Sequence, residues 1–242
     1  MQSPDILPIK APRHSGMTVF AKDAPPRSRF LIHSFPLAYP APQMPDPSLY
    51  TATLTSGSLK PRESRIVAGL LLDHVSHTEW KDAIEQGNVL QSRAVASAVS
   101  LGRLLRVRLE GFDAPLWKMV RDGDKELSVQ ALLACAVKHS PLLRDFMDLA
   151  LRNEFRMFRP GLVTSVWSSF LDDCRSRDSS MSNWSETTCD RLRSTVFQIL
   201  AQAGYLVDTR TRKLQTVLVR PELSSYLQGK GETHLLRCLQ LP

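Results

Sequence analysis

Apolar side chains recur at roughly 3.6-residue spacing from residue 65 to residue 203, whereas the first fifty residues show no such period. The stretch YTATLTSGSLKPRES, punctuated by Gly57 and Pro61, leads into a first helix beginning at Glu63 or Ser64. Ile66, Leu70, Leu71, Leu72 and Val75 supply its apolar side. After a break at residues 74–76, Ser76 and Glu79 make a capping-box pattern that opens a second helix, which Gly87 and Asn88 end after about Gln86. A third helix is predicted from Gln91 or Ser92 to Leu109. Ala94, Ala98, Leu101, Leu105 and Leu109 form its apolar stripe, and Arg93, Ala96, Ser100 and Arg103 fall opposite, with Arg106 flanking. Two short helices followed by one with a small, polar and cationic outer face is the layout of a helix-turn-helix reader.

Residues 113–158 read as two or three further helices forming the central core, divided by Gly123 and by His139, Ser140 and Pro141, with Arg152, Arg156 and Arg159 making the far end basic. A helix from about Gly161 to Cys174, a serine-rich loop and a long helix opening at Ser185 follow. In the long helix Leu192, Val196, Ile199, Leu200 and Ala203 face the core, while Thr187, Arg191, Ser194 and Gln198 lie opposite, and Gly204 ends it. The segment YLVDTRTRKLQTVLV then holds two β-branched and apolar stretches around a polar turn. It predicts a hairpin over residues 205–219 with Arg210, Arg212 and Lys213 at its tip. Helix, helix, basic hairpin is a winged-helix order. Pro221 opens a last helical piece, with Leu235, Leu236 and Leu239 as core residues. The expected fold class is therefore mainly all-α: a helical body with an N-terminal helix-turn-helix-like element and a C-terminal winged-helix-like element carrying a small β-hairpin.

Ten of the sixteen prolines lie in residues 1–48, and their spacing rules out a helix there, so this part reads as an arm or linker. Its Phe20, Phe30, Phe35 and Tyr39 are unusual for a pure linker. The remaining divisions are a helix-turn-helix-like region at 49–110, the central core at 111–160 and a winged-helix-like region at 161–242. The longest apolar runs, residues 66–72 and 131–137, fall far short of the roughly 20 residues a bilayer span needs. No continuous apolar segment near the N-terminus suits a secretory signal, which points to the cytoplasm.

With 43% hydrophobic and 23% charged residues the chain has ordinary globular composition, but its net charge of +7 attracts polyanions. Cys135, Cys174, Cys189 and Cys238 stand far apart and read as buried thiols rather than a zinc or redox centre. His74 and His77 beside Asp73 and Glu79 lack a second ligand cluster and read as capping or solvent-facing groups, so neither metal nor cofactor is implied. Hydrolase, zincin and phosphate-loop motifs are missing, and the chain is expected not to be an enzyme.

Several stretches carry a resemblance: YTATLTSGSL with Glu63 after it, HTEWKDAIEQGNVLQSRA, and NWSETTCDRLRSTVFQILAQAGYL followed by RPELSSYLQGKGE. Together they resemble the BrxA family of BREX phage-defence systems over residues 50–240. The C-terminal run is the most specific part, with Trp184, Ser185, Thr188, Leu192, Gly204, Pro221, Glu222, Tyr226 and Leu227 in the family's order. The resemblance implies a helical body like that of NusB, helix-turn-helix or winged-helix elements, and DNA binding. The expected function is a DNA-binding accessory component that contacts duplex DNA through Arg93, Ser100, Arg103, Arg106, Arg191, Ser194, Gln198, Arg210, Arg212 and Lys213. The partners implied are duplex DNA and other BREX proteins, with no membrane. The alternatives are a protein adaptor within the defence complex or a NusB-like RNA-binding protein.

Overall fold

The computed structural model describes residues 48–181 and 183–242, so the expectation of an irregular arm over residues 1–48 lies almost wholly outside the described residues. Ser48 and Leu49 start the described chain by bonding to one carboxylate: the Ser48 hydroxyl and the Leu49 amide both donate to Asp178 at 2.9 Å. A 3-10 turn, Ala52–Ser56, follows, and then α1, Pro61–Leu72. Proline in the first helical turn costs no hydrogen bond, since that amide would be unpaired anyway; proline likewise opens α6 (Pro141–Asp145) and α10 (Pro221–Gly229) and stands second in α4 (Ala114–Asp122).

The predicted capping box is present. Ser76 Oγ accepts from the Glu79 amide at 3.2 Å, and the Ser76 amide donates to the Glu79 carboxylate at 2.7 Å, which starts α2, His77–Lys81. This helix widens into a π turn, Asp82–Gln86, before Gly87 stops it. The next helix, α3, starts later than the pattern predicts, at Val95, and runs to Glu110. Asn88 is the cause: its side-chain amide holds the Ser92 carbonyl and its oxygen takes the Ser92 amide, both at 3.0 Å, so residues 88–94 close into a loop. Arg93 therefore sits on that loop and not on α3.

Helix α5, Lys125–His139, is the axis of the body, with every residue from Ser128 to Val137 buried. Asp124 caps it by accepting from the Leu127 amide at 2.8 Å. Helices α1, α3, α4, α6, α10 and α11 (Thr233–Leu239) pack around it, and Leu235, Leu236 and Leu239 are buried as expected. From α6 the chain passes through a second π turn, Phe146–Leu151, into α7, Arg152–Arg156. That turn is fastened to α8, Thr164–Arg177, by Phe146, Trp167 and Phe170, whose ring centroids lie 5.2–5.8 Å apart. The last long helix, α9, Glu186–Gln202, packs on the 3-10 turn at the start of the described chain.

Two expectations need correction. The described residues contain no strand, and the hairpin expected over residues 205–219 is reduced to the isolated antiparallel bridge Leu206 with Leu214, flanked by the Val207 amide donating to the Lys213 carbonyl at 3.0 Å and the Gln215 amide to the Tyr205 carbonyl at 2.9 Å, beside a second bridge, Gly161 with Lys213. Past Gln215 the chain is drawn away from any ladder by Gln130 of α5, whose side chain donates to the Leu218 carbonyl at 2.9 Å and accepts from the Arg220 amide at 2.8 Å. Arg152, read as part of a basic end, is instead buried. It pairs with Asp148 at 3.0 Å and donates to the Gln240 and Arg237 carbonyls at the end of α11. Among the described residues no helix is long and apolar enough to cross a membrane.

Candidate nucleic-acid interface

The outer face of α9 is set by how the helix is closed at both ends. Ser185 Oγ accepts from the Thr188 amide at 3.3 Å. At the other end Gly204, at φ +87°, donates to the Ala201 carbonyl at 3.2 Å while the Tyr205 amide reaches back to Leu200 at 2.9 Å. This is a Schellman closure, which favours glycine at the left-handed position. Leu192, Val196, Ile199, Leu200 and Ala203 are all buried, so Thr187, Arg191, Ser194 and Gln198 are turned to solvent as the periodicity predicts.

Two adjoining concavities share Ser194. The first, of about 470 Å³, is lined by Thr164 at the start of α8, by Arg193, Ser194, Phe197 and Gln198 of α9, and by Thr209 and Arg212. The second, of about 370 Å³, runs along α9 past Thr187, Asp190, Arg191, Ser194 and Thr195 to Thr55 of the 3-10 turn. The turn at 208–212 that borders the first is tied by one side chain. Asp208 accepts from the amides of Arg210 (2.7 Å) and Thr211 (2.6 Å) and from the Thr211 hydroxyl (2.8 Å). Those bonds, led by the Thr211 amide, hold its carboxyl below the usual range. Arg212, at φ +53°, offers its carbonyl to the Leu162 amide at 2.9 Å, which fixes the turn against the approach to α8.

Of the cations here, Arg193 is held by Asp190 at 2.9 Å. Among the described residues Arg191, Arg210, Arg212 and Lys213 have no carboxylate within 4.0 Å. Thr164, Arg193 and Thr209 are cleft residues the sequence reading missed. Thr164 falls inside the helix that the pattern predicts from about Gly161, and Thr209 directly precedes the first arginine of the turn.

The α3 candidates lie elsewhere. Arg103 and Arg106 line a cleft of about 360 Å³ with His77, Trp80 and Lys81 of α2 and Val99 of α3. Arg106 stacks on Trp80 at 4.8 Å and is paired with Glu110 at 2.7 Å, which spends much of its charge locally. Ser100 is exposed on α3 without lining this cleft, and Arg93 is exposed on the preceding loop. The third arginine of α3, Arg108, is interior: it donates to the Ser58 and Gly57 carbonyls at 2.8 and 3.0 Å. Burial lowers its pKa to about 10.

Other chemistry is muted. Cys135, Cys174 and Cys238 are buried, and burial pushes the thiols of Cys174 and Cys238 up to about 11, so they are poor nucleophiles. His74 and His77 are both exposed. Asp148, His234 and Cys238 bring ligand atoms within 4.8 Å of one another, but Asp148 already accepts from Arg152 and Arg237, at 3.0 and 2.7 Å. Two guanidinium groups on one carboxylate leave no place for a further cation.

The BrxA family model matches residues 48–231. The chain belongs to the BrxA family. It is 45% identical over 192 residues to the BREX protein BrxA of Paramagnetospirillum magneticum, covering 79% of this chain and 96% of that protein. It is 28% identical over 187 residues to the BREX protein BrxA of Escherichia coli, covering 77% and 88%. A crystal structure of an uncharacterized protein from Magnetospirillum magneticum superposes with a TM-score of 0.74 at 44% identity, covering 80% of this chain and 99% of that one. The BrxA-like positions of the C-terminal run are scaffold. Ser185 and Gly204 close α9, Leu192 and Leu227 are fully buried, and Pro221 starts α10. Tyr226 donates its hydroxyl to Asp113, tying α10 to the start of α4.

Proposed function

We propose that this BrxA-family chain is a non-enzymatic accessory component of a BREX phage-defence system, acting in the cytoplasm, that binds duplex DNA. The outer face of α9 enters a groove, and the turn at 208–212 lies along the neighbouring phosphates. The observation that carries this reading is that Arg191 and Arg212, which form no ion pair among the described residues, line adjoining clefts with the exposed Ser194 and Gln198, while Arg210 and Lys213 are exposed on either side of Arg212 in the chain. Phosphate contacts position a protein on DNA, and polar side chains on a helix face read base edges. The chain order adds support. Gly161 bridges to Lys213, and Leu206 to Leu214, on either side of α8 and α9, and single bridges in this order support a winged-helix-like reading of the region. Arg93, Ser100, Arg103 and Arg106 are proposed as a lesser, separate contact.

The test is a set of mobility shifts with duplex DNA, single-stranded DNA and RNA of matched length and sequence. The proposal expects duplex DNA to bind most tightly, with affinity falling steeply as salt rises. Tighter binding of RNA, or no binding of any of the three, overturns it.

A further inference from the structure

A concavity of about 660 Å³, lined by no residue of α9, lies between α8 and the helix that runs through the second π turn into α7. Leu149, Ala150, Val166 and Phe170 give it an apolar floor. The π turn shapes one wall: it buries Phe146, Met147, Asp148 and Leu151, yet leaves Leu149 47% exposed. A single wide turn of this kind re-aims a side chain that a regular helix would tuck inward, and such turns recur at functional sites. Just after α7 in the chain, Met157 is 58% and Phe158 92% exposed. Clustered apolar exposure of this kind marks interaction surfaces, whereas scattered single residues do not.

The charged lining residues are Glu154, Asp173 and Arg177, and the last is paired with Asp145 at 3.6 Å. Glu154 on α7 and Asp173 on α8 both line the concavity, and among the described residues neither forms an ion pair. Their neighbours Asp145, Asp148 and Asp172 each hold an arginine. In a chain of net charge +7, an apolar trough between two uncompensated carboxylates is the wrong surface for a polyanion and the right one for a cationic protein segment. Along α8 the trough reaches from Ser165 to Arg177, about 18 Å at 1.5 Å per residue, which accommodates roughly three turns of helix.

We infer that the trough between α7 and α8 is a protein-docking site whose occupant is an amphipathic helix from another component of the same defence system, its apolar stripe edged by lysine or arginine. Apolar anchors at helical spacing fill the floor over Leu149 and Phe170, while flanking cations meet Glu154 and Asp173. This goes beyond DNA contact and uses none of the residues assigned to it.

The experiment co-expresses the tagged full chain with the other components of its own system, with a photo-crosslinking residue replacing the exposed Ser169. The expected result is one discrete adduct to one other component, mapping by mass spectrometry to an amphipathic segment bearing basic residues. Glu154→Lys combined with Asp173→Lys is expected to cut the adduct and the co-purified partner roughly tenfold, as is Leu149→Gln, with helical content, melting temperature and duplex-DNA affinity unchanged. An adduct undiminished by charge reversal, an adduct only to a second copy of this chain or to nucleic acid, or none at all overturns the inference. DNA affinity measured on the same preparations keeps its failure separate from failure of the DNA-binding reading.

Discussion

Replacing Arg210, Arg212 and Lys213 together by alanine tests the phosphate-contact role of the 208–212 turn. Arg210 and Lys213 are exposed, and Arg212 lines the α9 cleft. The substitutions leave the turn intact, because its hydrogen bonds are made by Asp208 and by backbone groups. Alanine at position 212 bears the same left-handed backbone as arginine does, since both carry a Cβ. Each phosphate contact contributes roughly 0.9 to the slope of log affinity against log salt, so losing three lowers that slope by about 2.7. Between 50 and 200 mM salt the parent protein should therefore lose roughly 40-fold more affinity than the variant. Fluorescence anisotropy on a labelled duplex across that range reads both quantities, and unrelated sequences should weaken alike, because phosphate carries no sequence information. An unchanged slope with unchanged affinity refutes the assignment of this turn to the DNA backbone. A loss of affinity with no change in slope removes phosphate neutralisation as its cause.

Three further outcomes are expected. Arg191→Ala should change discrimination between duplex sequences by roughly 1–3 kcal/mol if the outer face of α9 makes a bidentate base contact, read as the ratio of affinities for a selected and a scrambled site. Ser185→Ala should lower stability by about 1 kcal/mol through loss of the α9 cap, measured by urea unfolding. Asp148→Asn should cost roughly 3–5 kcal/mol, because buried Arg152 keeps its charge and loses its partner. Burial works to raise the Asp148 carboxyl, but Arg237 and Arg152 outweigh it and hold the pKa below the usual value. Its contribution is thus present above the ordinary carboxylate range and lost as pH falls through the lowered folded value. Wild-type stability should drop on acidification below about pH 4, and the variant should show a shallower drop.

The helical body was legible because burial enforces period: the inward positions of α9 and the capping box of α2 follow from spacing and cap chemistry alone. What sequence could not show was capture by a distant or competing side chain. Asn88 delays α3 by bonding to Ser92, and Gln130 of α5 takes the polar groups of residues 218 and 220 that a hairpin would have paired. Both effects are tertiary or side-chain overrides of a correct local propensity. The two π turns have no signature in the apolar period, since one extra residue per turn changes the phase only locally. At the interface the pattern identified the face of α9 but not its neighbours, because the path by which Thr164 and Thr209 reach Gln198 is set by the bridge between Gly161 and Lys213.

Net charge alone says little about where a polyanion would sit, because many of this chain's arginines serve its interior. Arg65 donates to the Arg121 and Gly123 carbonyls at the end of α4, at 2.9 and 2.7 Å, Arg108 to two carbonyls ahead of α1, and Arg152 to two at the end of α11. Each closes a chain segment whose carbonyls would otherwise lack partners. Others are neutralised on the surface, as Arg220 is by Asp124, Glu126 and Glu222. A guanidinium already bound to protein oxygens gives up those bonds to reach a phosphate, and gains little by doing so. The cations able to release counterions from DNA are those without such bonds: Arg191 and Arg212 line the clefts along α9, and Arg210 and Lys213 are exposed next to Arg212 in the chain. The salt slope should therefore follow this unpaired group and not the formal charge: removing Arg65 or Arg220 changes net charge as much as removing Arg210 does, but should leave the slope where it was.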